Sequence, residues 1–159
     1  MPNAYTENKL VQESASKLLQ DELGWEVVFA HHQEKLGENG TLGRKDLRDV
    51  ILTRYFRRAL RQLNPWITAE QLDEAEQTML ERLSSASPLQ INEEKYKLIR
   101  DGISVRVKKP DGSSVVERAR VIDFKSPKNN HFLAVRELTI RVNTMSAART
   151  SSDLSMACL

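Results

Sequence analysis

Three groups of residues in this sequence have types and spacings that could do chemistry. The first is Pro110-Asp111 followed by Asp123-Phe124-Lys125. A metal-dependent phosphodiesterase needs two carboxylates to hold Mg²⁺ and an ammonium to orient the attacking water, and an Asp followed by an acidic-x-Lys segment supplies those groups. The second is Arg54, Arg57, Arg58 and Arg61, spaced i, i+3, i+4 and i+7. On a helix these share one face, while Tyr55, Ala59 and Leu63 turn the other way, so the stripe could contact nucleic-acid phosphates. It could equally pair with the acidic segment that follows (Glu70, Asp73, Glu74, Glu81). The third is His31-His32. Adjacent residues on a strand point to opposite faces, so these two are read as surface histidines rather than as chelators of one metal.

The elements that would carry these residues follow from periodicity. A first helix starts at Thr6 as N-cap, with Tyr5 stapled to Leu10 and apolar residues at Leu10, Val11, Ala15, Leu18 and Leu19, and Gly24 stops it. Residues 25–30 (WEVVFA) read as a buried strand. A glycine-bearing loop over residues 34–43 matches no phosphate-binding glycine motif. Asp46 is then expected to cap a long helix reaching Leu63, which Asn64-Pro65 ends. Thr68 and Gln71 make a capping box for a third helix, to about Leu83. A linker spans 84–88, and a short helix spans 92–100, before Gly102.

From there the period is two. Residues 103–108, the turn Pro110-Asp111-Gly112 and residues 114–124 predict a hairpin, and residues 132–142 a third strand of an antiparallel meander. This placement weighs against the first chemical group. Asp111 sits at the tip of the hairpin and Asp123 at its far end, and ten residues of strand span about 33 Å. Two carboxylates so separated cannot share an ion.

Composition bounds the rest. The chain has 159 residues, 24 Lys+Arg against 22 Asp+Glu, and a hydrophobic fraction of 40%. That suits one soluble globular domain with a core of its own. The single cysteine, Cys158, excludes an internal disulfide and a multi-cysteine zinc site. No apolar run approaches the ~18 residues needed to span a bilayer, so no membrane role is expected and the cytoplasm is the expected compartment.

Several stretches, in order, are more specific than any single one. They are Thr6-Glu7-Asn8-Lys9-Leu10-Val11, Leu18-Leu19-Gln20-Asp21-Glu22-Leu23-Gly24-Trp25-Glu26-Val27 and Leu42-Gly43-Arg44. They continue with Arg58-Ala59-Leu60, Leu63-Asn64-Pro65, Tyr96-Lys97-Leu98-Ile99-Arg100-Asp101-Gly102, Val121-Ile122-Asp123-Phe124 and Asn129-Asn130-His131-Phe132-Leu133. Together, over about residues 5–141, they resemble the N-terminal domain of the R (restriction) subunit, HsdR, of type I restriction–modification enzymes.

The resemblance implies an α/β fold with a restriction-endonuclease-like core, a mixed sheet flanked by helices. It implies an intact protein that uses Mg²⁺ at a nuclease centre and ATP at a motor. Its partners would be DNA and the modification and specificity subunits. Of family site residues it leaves only Glu7, on the first helix, as a carboxylate that could face the metal. The family's cutting site, an Arg-Arg-Pro-Asp segment and then a Glu-x-Lys strand, should begin where residues 142–159 begin, and this chain spells neither there. The nuclease core is therefore expected to be incomplete at its C-terminus, with neither cofactor held by this chain.

Residues 142–159 read as a tail unrelated to residues 1–141, with Ser, Thr and Ala at nine of its 18 positions. Suppose the frame is moved so that each codon takes the third base of one residue and the first two bases of the next. Permitted codon choices then spell Glu-Tyr-His-Val-Arg-Arg-Pro-Asp-Ile-Val-Gly-Phe-Val-Asn-Gly-Leu-Pro, the sequence the family would carry here. A frameshift near Arg141 is the expectation. Loss of the later core strands is further expected to leave the 132–142 strand with an open edge prone to self-association.

Overall fold

A computed structural model describes residues 7–30, 34–81, 87–141 and 152–158. Thr6, His31, His32, the linker residues 82–86 and the start of the tail, 142–151, lie outside them. The chain is mixed α/β and divides into two compact units: residues 1–52 with 131–158, and residues 53–130.

In the first unit, α1 (Glu7–Asp21) precedes β1 (Glu26–Phe29), with Gly24 turning the chain at φ 67°. The strand β1 pairs in parallel with a strand from the far end of the sequence, Phe132–Thr139, in the register Glu26↔Leu133 to Phe29↔Arg136. This corrects the expected meander, in which that strand followed a hairpin in one antiparallel sheet. The reason lies in its composition. Leu133, Ala134 and Val135 are consecutive and all buried, as in a strand covered on both faces, whereas a meander edge would alternate.

The other side of that strand is also filled. Ser152–Cys158 forms a strand antiparallel to it, from Phe132↔Cys158 to Thr139↔Ser152, with an irregularity between Val135 and Leu138. The open edge expected there is thus closed, and the reading of the tail as patternless missed a strand. Its sequence carried the signal: Leu154, Met156 and Cys158 alternate with Asp153, Ser155 and Ala157.

In the second unit, α2 (Thr53–Leu63), α3 (Ala69–Leu80) and α4 (Pro88–Asp101) precede the hairpin β2 (Ile103–Lys108) and β3 (Ser114–Ala119). In chain order the Phe132–Thr139 strand is then β4 and Ser152–Cys158 is β5. The helix α2 buries Tyr55, Phe56, Ala59, Leu60 and Leu63. It starts seven residues after the expected Asp46, because residues 45–49 turn on side chains instead. The backbone N–H groups of Lys45 and Asp46 donate to Asp49 Oδ2 at 3.0 and 2.9 Å, and that of Arg48 donates to Asp46 Oδ1 at 2.8 Å. Such side-chain acceptors compete with a helix for the same N–H groups.

The Thr68–Gln71 capping box forms as expected. An unforeseen second box, Ser87–Gln90 with Pro88 in the first turn, starts α4 earlier than expected. Gly102 ends α4 at φ 85°, where an added Cβ would lie 2.8 Å from the Ala119 carbonyl oxygen, so only glycine fits.

Candidate functional site

The predicted hairpin chemistry comes apart at β3. This strand ends at Ala119 rather than Phe124, and six residues of strand rise about 20 Å between the turn and its far end. Asp111 is exposed in that turn, where Oδ1 accepts the backbone N–H of Ser113 at 2.9 Å and its hydroxyl at 2.6 Å. These bonds, the hydroxyl's first, hold its carboxyl below the usual aspartate range. Asp111 is a turn-forming residue.

Asp123 is 6% exposed and both of its carboxylate oxygens accept hydrogen bonds. Oδ1 accepts the backbone N–H groups of Lys125 at 3.1 Å and Ser126 at 3.0 Å, and Oδ2 accepts the Asn129 side-chain amide at 2.9 Å. The Arg120 guanidinium lies 3.6 Å from Oδ2. Asn130 locks the same residue through its backbone, its Oδ1 accepting the Asp123 N–H at 2.8 Å and its Nδ2 donating to the Asp123 carbonyl at 3.0 Å. Lys125 reaches Asp123 by its backbone N–H, while its side chain is exposed. The Asp-x-Lys spacing is thus a loop clamp, closed by the Asn129-Asn130 pair.

The Asn129 amide first, then the Ser126 and Lys125 N–H groups, hold the Asp123 carboxyl below its ordinary value. A carboxyl whose folded pKa is depressed adds stability that is fully present above the unfolded value, near 3.9, and lost as pH falls through the folded one. The difference in urea midpoint between the parent chain and Asp123→Ala is therefore expected to shrink as pH is lowered below about 4. A difference constant from pH 6 to pH 3 would contradict this.

The arginine stripe forms on α2 as predicted from spacing. Arg54, Arg58 and Arg61 are exposed. Arg57 pairs with the following helix, donating to Glu76 at 2.6 Å and Asp73 at 2.7 Å, which raises its pKa, Glu76 contributing most. Arg54 lies over the Tyr55 ring, 5.2 Å from its centroid. The expected pairing with the acidic segment thus forms at Arg57, through Asp73 and the unforeseen Glu76. Glu7 is the first residue of α1, in the other unit from Asp111, Asp123 and Lys125. Among the described residues, no three or more His, Cys, Asp or Glu gather as a metal site. None of the described helices is long and apolar enough to cross a membrane.

Sequence reasoning missed two polar knots. Arg44 is 1% exposed and forks onto Glu34, Nε to Oε1 at 2.6 Å and Nη2 to Oε2 at 2.5 Å. Nη2 also reaches the Thr139 carbonyl at 2.8 Å, tying the loop to the end of β4. Asn64, also 1% exposed, donates to the carbonyls of Leu60 at 2.9 Å and Arg120 at 2.8 Å, and accepts the Arg120 N–H at 2.8 Å. Both residues stand in family-like stretches, Leu42-Gly43-Arg44 and Leu63-Asn64-Pro65. Those stretches were the available signal.

Comparison with known proteins gives one family over nearly the whole chain. The family described as "Type I restriction enzyme R protein N terminus" matches residues 4–153. The "Type I restriction enzyme HindI endonuclease subunit" of Haemophilus influenzae is 32% identical over 136 residues, which cover 85% of this chain and 12% of that relative. No solved structure matches.

Proposed function

Because the chain belongs to the type I restriction enzyme R protein N-terminal family, we propose that it is the leading piece of a restriction subunit whose intact form cuts unmethylated DNA. The intact protein would use Mg²⁺ at the nuclease centre and ATP at a motor. It would work in the cytoplasm with modification and specificity subunits, on a restriction-endonuclease-like core. The chain itself spans 12% of the length of the relative it matches, and on this proposal it does not cleave DNA by itself.

The observation that carries the inactive reading is the engagement of both Asp123 carboxylate oxygens by its own loop. Its oxygens accept donors from Lys125, Ser126 and Asn129, so the residues present do not fit Mg²⁺ at that position. Glu7 remains the single family-type carboxylate, and one carboxylate does not hold the ion. Cleavage is therefore assigned to residues that the frame of residues 142–159 does not spell.

Incubation of purified chain with supercoiled plasmid in Mg²⁺ buffer tests this. No nicking above a no-protein control is expected, for the parent or for Asp111→Asn, Asp123→Asn and Lys125→Gln variants. Mg²⁺-dependent cleavage that Asp123→Asn or Lys125→Gln abolishes would overturn the proposal.

A further inference from the structure

The predicted arginine stripe does not stand alone. Gln62 lies one helical turn beyond Arg58, on the edge of the arginine face. Its side-chain amide donates to the Asn129 carbonyl at 2.9 Å. The 3₁₀ turn Pro127–Asn129, which carries Lys128, is thereby held against the C-terminal end of that face. A second set of bonds fixes the same segment at its other end. Asn64 brackets the backbone of Arg120, and the Arg120 Nη2 donates to the Leu63 carbonyl at 3.5 Å. Arg120, Lys125 and Lys128 are all exposed. The segment's one acidic residue, Asp123, is turned inward and consumed by the clamp.

We propose that Arg54, Arg58 and Arg61 of α2, with Arg120, Lys125 and Lys128 of the clamped loop, form one composite surface that takes the phosphate backbone of duplex DNA. It does so without reading sequence. The assignment rests on the restriction-subunit reading and deepens it by placing a holding surface on residues 53–130. Two features suit this chemistry. The loop backbone is pinned at Asn129 and Arg120, so the segment that carries these cations is fixed before any ligand arrives. Arg57, the stripe member engaged with Asp73 and Glu76, anchors α2 to α3 and so fixes the helix that carries the other three.

The test is fluorescence anisotropy of a labelled 30-base-pair duplex of arbitrary sequence, titrated with the full chain between 50 and 300 mM KCl. Each phosphate contact adds about 0.9 to the slope of log affinity against log salt. Lys125→Gln with Lys128→Gln is expected to lower that slope by about 2 and weaken binding roughly tenfold at low salt. A charge-matched control, Lys97→Gln with Lys109→Gln, should leave the slope unchanged. Gln62→Ala, which keeps every charge but frees the turn, should weaken binding severalfold.

No duplex binding at 50 mM salt would overturn the inference, as would equal losses in the loop and control variants. Binding unaffected by Gln62→Ala would also overturn it. None of these results bears on the restriction-subunit assignment, which is read from plasmid cleavage.

Discussion

Replacing Arg44 with methionine is expected to destabilise the protein by about 3–5 kcal/mol. The guanidinium side chain has no exposed surface and that of its partner Glu34 only 6%. It holds both Glu34 oxygens, the Thr139 carbonyl and, at 3.4 Å, the carbonyls of Leu47 and Asp49. Methionine fills much of the volume but leaves a buried carboxylate without its counter-charge and three carbonyls without this donor. Lysine keeps the charge and loses the planar fork, so Arg44→Lys should fall between the parent and Arg44→Met. Adding Glu34→Leu to Arg44→Met removes the stranded charge and should recover part of the loss. Denaturant midpoints measure all three, and a double variant less stable than Arg44→Met alone would show that the stranded carboxylate is not the source of the loss.

Removing the Asn64 side chain should cost about 2–3 kcal/mol, because Asn64→Ala strips both backbone partners from Arg120 and one from Leu60. Asn64→Asp should be worse than Ala at neutral pH. Its carboxylate can still accept the Arg120 N–H, but it sets a negative charge against the Leu60 and Arg120 carbonyls where an amide had donated. An Asp variant as stable as the parent would show that Asn64 is not the tie between the end of α2 and the exit from β3.

The range of each interaction decides how much of it the sequence displays. The Thr68–Gln71 capping box and the arginine face of α2 are local devices that spacing alone exposes, and both form. The parallel pairing of β1 with β4 joins residues about a hundred positions apart and has no local signature. The one hint was the unbroken apolar run of β4. The helix expected from Asp46 failed because Asp46 and Asp49 spend their carboxylates on nearby N–H groups, a competition that periodicity does not register.

The Asp-x-Lys segment shows the same limit at the level of chemistry. Residue types and spacing matched a metal centre, but the direction of the Asp123 side chain decided its role. That direction depends on Asn129 and Asn130, several residues downstream. Arg44 and Asn64 were legible only as members of family-like stretches. Their partners Thr139 and Arg120 lie far along the chain, so no spacing rule could have assigned them.

If the nuclease residues are written in the frame next to the one translated over residues 142–159, the nucleotide sequence of that stretch must carry them, and reading it decides the matter. An Ala148 codon ending in C, followed by CGG for Arg149, is expected, so that the shifted junctions spell Pro and then Asp, with that frame open beyond Leu159. An Arg149 codon ending in any base other than G cannot encode the shifted Asp and would refute the frameshift.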